Sequence, residues 1–151
     1  MSQSLTKLYV HIIFHTKYSQ PLIRKQDKEK LYAYIGSVLN TNKSTPIKIN
    51  GIENHIHIFC LLSKNIALSK LVEEIKRHSS RWIKTIDPHY KNFAWQGGYG
   101  AFSVCPSKFD AVKKYIENQE EHHKKKDARK EYIQFLEKHQ IEFDENYLWT
   151  D

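Results

Sequence analysis

The chain is poor in the residues that build thiolate or disulfide chemistry. Its two cysteines, Cys60 and Cys105, stand far apart and match no zinc-ligand spacing. They read as reduced core thiols of a cytosolic protein. No apolar run is long enough to span a bilayer, so no membrane partner is expected. The opening stretch, MSQSLTKLYVHIIFHTKYSQ, lacks a basic start, a small-residue cleavage site and a purely apolar middle. It does not read as a signal peptide, and a cytoplasmic location is expected. There is no internal repeat, and the one short biased run is KKKDARK at 124–130. Acidic side chains are the minority charge: 17 Asp and Glu against 24 Lys and Arg, a formal charge of +7. Such a balance favours polyanionic partners. Hydrophobic residues make up 40% of 151, which suits a single globular domain with its own core. The expected division is a core over about 5–125 and a C-terminal helix and tail over 126–151.

Patterning supplies the element order. Residues 5–16 alternate as a strand, with Leu8, Val10, Ile12 and Phe14 on one face and Tyr9, His11, Ile13 and His15 on the other. Asp27 can cap a helix whose stripe is Leu31, Tyr34, Ile35, Val38 and Leu39. PIKINGI at 46–52 and ENHIHIFCLL at 53–62 read as an antiparallel pair. A long amphipathic helix is expected over about 67–86, then the aromatic loop HYKNFAWQGGYG and a short strand at 101–105. Ser107 should cap one helix reaching about Lys124, and another helix should cover about 128–139. The order β-α-β-β-α-β followed by helices predicts an α+β, ferredoxin-like (split βαβ) antiparallel sheet with helices packed on it. That superfold hosts many functions, so function must come from a site.

The strand ENHIHIFCLL poses the question of chemistry. Ile56, Ile58, Cys60 and Leu62 form a wholly apolar face, whereas His55, His57, Phe59 and Leu61 share the other. Two imidazoles on one side of a strand can reach one divalent cation, which would offset the cost of placing them beside a core. Satisfied edge histidines would show the same short pattern unless a third ligand converges. In SKFDAVKKYIENQEEHH the stripe is Phe109, Val112 and Ile116, while Tyr115 and Gln119 stack on one flank. A helix packed on the sheet could aim both at the histidines. Gln119 would then give the metal an oxygen, and Tyr115 would bring its phenol to whatever the metal polarises.

With these residues in view, the chain resembles the single-tyrosine HUH transposases, the insertion-sequence-200-like group. The carriers are NHIHIFCLL, LVEEIKRHSSRWI, FAWQGGYGAFSV and VKKYIENQEEHH, with HIIFHTKYSQPLI near the start. They run in order over about 11–123. The resemblance implies an enzyme that cleaves and rejoins single-stranded DNA at mobile-element ends through a 5′-phosphotyrosine. By position, Tyr115 matches the nucleophile, His55 and His57 the metal-binding pair, and Gln119 the third ligand, with Mg²⁺ or Mn²⁺ as the cofactor. The partners implied are single-stranded DNA with hairpin ends and a second copy in a homodimer, where one subunit's tyrosine helix can complete the other's site.

Other readings stay open at this level. The group that takes the Tyr115 proton is not legible; His11, His15, His122 and His123 qualify by type only. Arg77, Arg81, Lys84, Lys113 and Lys114, with Lys70 and Lys76, could contact phosphates or simply form solvated helix faces. The aromatic loop and the tail NYLWTD suit an interface or base stacking, or a loop that seals the core. Glycines 97, 98 and 100 would allow positive φ there. A non-catalytic nucleic-acid-binding module on the same sheet is the alternative, as is a domesticated nuclease. Such modules place aromatics mid-strand, where this chain has histidines.

Overall fold

The computed structural model describes residues 2–149. Four strands, β1 (Leu8–His15), β2 (Thr45–Ile52), β3 (His55–Leu62) and β4 (Gly100–Val104), form one sheet in the order β2-β3-β1-β4. Every neighbouring pair is antiparallel. The connections run through α1 (Lys28–Thr41) between β1 and β2, and α2 (Leu68–Ile86) between β3 and β4. This is the expected ferredoxin-like order. After β4 come α3 (Phe109–Glu117), α4 (Gln119–His122), α5 (Ala128–Lys138) and α6 (Glu145–Leu148).

The period-2 alternation of β1 and β3 sorts the sheet into two unlike faces. Ile12, Phe14, Ile56, Ile58 and Cys60 pack against α1 and α2 in the main core, with Leu31, Ile35, Leu39, Leu71 and Ile75. These ten side chains are fully buried, and burying a Leu or Ile is worth roughly 1.5–3 kcal/mol. The opposite face carries Tyr9, His11, Ile13, His15, His55, His57 and Phe59, and is covered from the C-terminal side. Phe59, Val104 and Ile116 form one apolar cluster there with α3. Ile13, Phe102, Tyr132 and Leu136 form another with α5. The polar face is therefore roofed, and its histidines are inside the protein.

Several local expectations are corrected. Asp27 stands at the N-cap position of α1, as expected, but makes no side-chain capping bond; its carboxylate accepts a hydrogen bond from Tyr90 Oη at 2.5 Å instead. Ser107 does not cap a helix either; its hydroxyl donates to Cys105 Sγ at 3.3 Å. The single helix expected over 107–124 is broken at Asn118 (φ −98°, ψ 26°) into α3 and α4. The break has a tertiary cause. The Asn50 amide on β2 donates to the Ile116 and Glu117 carbonyls at 2.8 and 3.2 Å, taking acceptors that a continuing helix would use. In the aromatic loop, Tyr90, Phe93 and Trp95 are buried in the main core, so they seal it and offer no surface for stacking. Of the Phe, Trp and Tyr side chains in that loop, only Tyr99 is exposed. No glycine has positive φ, which overturns the expected conformation at 97, 98 and 100. Of the tail, Leu148 and Trp149 pack on the α5 cluster, and Trp149 meets His15 and Tyr132 edge-on. Thr150 and Asp151 lie outside the described residues. Among the described residues, no helix is long and apolar enough to cross a membrane.

Candidate active site

The roofed face concentrates imidazoles. Register places His15 opposite His55 and Ile13 opposite His57, so His11, His15, His55 and His57 lie in adjacent strands on one side. All four are essentially inaccessible. From above, the break at Asn118 turns Gln119 inward, and it is fully buried. His123, at the end of α4, follows it. Asp127 caps α5 by accepting from the Lys130 amide at 2.9 Å, and one turn along that helix Glu131 points into the same space.

Glu131 is the hub. Its Oε1 lies 2.9 Å from His57 Nε2 and 3.3 Å from both His55 Nε2 and His123 Nε2. Its Oε2 accepts a hydrogen bond from the Tyr115 hydroxyl. Gln119 Oε1 lies 3.3 Å from His55 Nε2 and 3.1 Å from His123 Nε2. Tyr115, His55, His57 and Gln119 thus come together within one chain. The ligand atoms of His55, His57, His123 and Glu131 lie within 4.8 Å of one another, close enough to hold one ion.

Hydrogen-bond counting supports a cation at this point. A neutral imidazole has one N–H and one lone pair. His123 Nδ1 is 2.8 Å from the Lys126 carbonyl, which can only accept, so Nδ1 carries the proton. Its Nε2 then presents a lone pair to the oxygens of Gln119 and Glu131. His55 repeats the pattern, with Nδ1 3.0 Å from Asn54 Oδ1 and Nε2 facing the same two oxygens. For His57, Nδ1 is engaged by His11 Nε2 at 2.8 Å, leaving Nε2 toward Glu131. Lone pairs on nitrogen and oxygen repel unless a proton or a cation lies among them. Holding the far ring nitrogen is how proteins orient metal-binding histidines. The donor set of three imidazoles, a carboxylate and an amide oxygen fits a divalent metal.

The electrostatics follow from burial. Burial pushes His55 down to about 4 and His15 to about 3, so both are neutral at ordinary pH. Burial alone would push the Glu131 carboxyl up, but a proton shared with the Nε2 atoms of His123, His55 and His57 outweighs it and keeps it well below the usual range; a bound cation would take the place of that proton. Burial would lower His123; its contact with the Glu131 carboxylate wins and raises it. The Tyr115 phenol is raised well above its ordinary value by burial and then by the adjacent Glu131 charge. With no cation bound, the tyrosine is thus held protonated, donating to the carboxylate.

Glu131 was missed by sequence reasoning, and His123 was noted there only as a proton carrier by type. The signal for Glu131 was present. It lies on the stripe of Ala128, Tyr132 and Leu136, where a carboxylate needs a partner. By contrast, Arg77, Arg81 and Lys84 stand on α2, which packs on the sheet face away from the histidines. Lys113 and Lys114 are on α3, the helix of Tyr115, and Lys114 is exposed.

Comparison with known proteins shows the family and the fold. The profile of the IS200-like transposase family matches residues 4–119. No functionally curated protein matches the sequence. A candidate transposase from Deinococcus radiodurans R1 is similar in structure, with a TM-score of 0.62 and 20% identity. That match covers 79% of this chain and 98% of the other. A REP-associated tyrosine transposase bound to a REP hairpin aligns with a TM-score of 0.60 and 15% identity, over 82% of this chain and 74% of the other.

Proposed function

The chain belongs to the IS200-like transposase family, and on that premise we propose that it is a metal-dependent single-stranded DNA transposase working through a 5′-phosphotyrosine. The observation that carries the reading is the meeting of the Tyr115 phenol with His55, His57, Gln119 and Glu131 in one buried pocket. His55, His57 and Gln119 would hold the metal, joined by His123 and Glu131. When bound, the divalent ion neutralises phosphate charge and orients the scissile group. Of the two ions expected, Mn²⁺ suits three imidazole nitrogens better than Mg²⁺, which favours oxygen donors and keeps its waters.

Tyr115 Oη attacks phosphorus in line. The new bond is Oη–P, and the bond that breaks frees the 3′-oxygen, which leaves as a hydroxyl after taking a proton. The Tyr115 proton lies on a hydrogen bond to Glu131, which aims the phenol oxygen; held well below its usual range, that carboxyl passes the proton on to solvent rather than keeping it, and the leaving 3′-oxygen takes its proton from solvent. The covalent intermediate conserves the bond energy, and a later 3′-hydroxyl can reverse the step. The hairpin-bound relative supports single-stranded DNA with hairpin ends as the partner, and a cytoplasmic location belongs to the same proposal. The homodimer implied by the family resemblance belongs to the proposal too, although every donor of this site comes from one chain. Light scattering of the active protein tests it, and activity in a strict monomer removes it.

The central test is a covalent adduct on denaturing gels after incubation with single-stranded element ends and Mn²⁺ or Mg²⁺. The adduct should disappear with EDTA and in Tyr115→Phe. His55→Ala and His57→Ala should bind DNA but cleave poorly. DNA binding without any adduct would mark a non-catalytic module.

A further inference from the structure

We propose that the cleft between α3 and α5 is the seat of one unpaired nucleotide run of the DNA strand beside the scissile phosphate; this rests on the transposase reading above. The cleft has a volume of about 650 Å³, and both Tyr115 and Glu131 line it, so whatever fills it lies against the nucleophile. Its walls are chemically divided. Val112 on α3 and Phe135 on α5 are half-buried and give apolar surface. Lys108, Lys126 and Lys138 line it as well and supply positive charge.

The pairing of cations with apolar surface beside the nucleophile points to the occupant. The carboxylate in the cleft is Glu131, and its negative oxygens are turned to imidazoles and to the phenol. Some basic groups elsewhere on the surface are paired with carboxylates: Lys28 with Glu120, Lys124 with Glu121, and Arg77 with Glu74. Among the described residues, Lys108, Lys126 and Lys138 form no ion pair with a carboxylate, although Lys126 Nζ donates to the Gln134 side-chain oxygen. An apolar wall beside cations fits a ligand that alternates a flat ring with an anion, which describes a nucleic-acid strand. Bases in a duplex have both faces covered by neighbours, so only an unpaired base can lie against Phe135. The basic residues expected from sequence on α2 are on the wrong face of the sheet for this task. The lysines on the α3 side, the α4–α5 connection and the end of α5 replace them.

The experiment is a salt titration of single-stranded oligonucleotide binding, read by fluorescence anisotropy with the full chain. Neutralising the cleft with Lys108→Gln, Lys126→Gln and Lys138→Gln together should make the slope of log affinity against log salt shallower by about 2, from about 0.7 per lost contact. Neutralising Arg77, Arg81 and Lys84 to Gln together should leave that slope unchanged. An unchanged slope in the cleft variant, or the whole loss appearing in the α2 variant, overturns the proposal. Normal Tyr115 adduct formation alongside an unchanged cleft slope defeats the cleft and leaves the chemistry standing. The expected slope change in a protein that never forms an adduct does the reverse. A cleft strand also predicts that 5-iodouracil next to the cleavage position photocrosslinks to the peptide containing Phe135; crosslinks confined to α2 would overturn it.

Discussion

Asn54 and Glu131 act on the same imidazole from opposite ends. Asn54 Oδ1 holds the Nδ1 proton of His55, and Glu131 waits at Nε2. Losing Asn54 frees the ring to change tautomer, so Asn54→Ala should weaken Mn²⁺ binding by roughly 10–100-fold, as measured by isothermal titration calorimetry. Equal affinity in the variant would show that the side chain does not fix the tautomer. Glu131→Gln keeps the shape of the hub and removes its charge. Because that charge is the second cause of the raised Tyr115 phenol, after burial, the phenol should move back toward its ordinary range. An ultraviolet pH titration, with Tyr115→Phe as the blank, reads that shift. Of these groups, His55, His57, Tyr115 and Gln119 were visible in sequence because strand and helix spacing put them on predictable faces. Glu131 could be flagged as a carboxylate on an apolar stripe, but its partners could not, because they come from β3, α3 and α4, and no local pattern connects it to them.

At the scale of elements, α5 forms the roof of the site, and its fit to β4 is tight. A Cβ built on Gly100 would stand 2.6 Å from the Tyr132 ring and 3.1 Å from its hydroxyl. Gly100→Ala therefore forces α5 away from the sheet. A cost of about 1–3 kcal/mol is expected from such overpacking, measured as a lowered urea midpoint, together with weaker metal binding as Glu131 withdraws. A variant with unchanged stability would mean that Tyr132 swings aside freely. The elements themselves follow from local pattern, and their ends shifted by a residue or a few. The break between α3 and α4 could not be read locally, since the Asn50 amide that causes it lies on a strand far earlier in the chain. The aromatic loop misled for a related reason. Periodicity assigns faces to helices and strands, but it gives a loop no inside or outside.

For the molecule as a whole, burying histidines makes stability depend on pH. His15 sits near 3 and His55 near 4 in the fold, against an ordinary 6.5. Below about 6.5 the unfolded chain takes up protons that the folded chain refuses, so stability should fall as pH drops from 6.5 toward 4. Each such group contributes up to ~1.4 kcal/mol per pH unit over that window. Urea midpoints of the metal-free protein between pH 7 and 4.5 test this, and His15→Phe should flatten part of the slope. A flat profile in the parent protein would show that water reaches these rings.

The sequence alone determined the order of elements, the two-faced strands and the helix that carries Tyr115, because those depend on side-chain period and on local backbone preference. It also determined the family, through motifs kept in order along the chain. Tertiary structure decided which groups complete the site. Only the packing of α4 and α5 over the polar sheet face brings His123 and Glu131 to His55 and His57. The same packing buries the site enough to hold Tyr115 protonated and opens the cleft beside it. Convergence in space and loss of water are properties of the assembled fold, and short-range pattern carries no record of them.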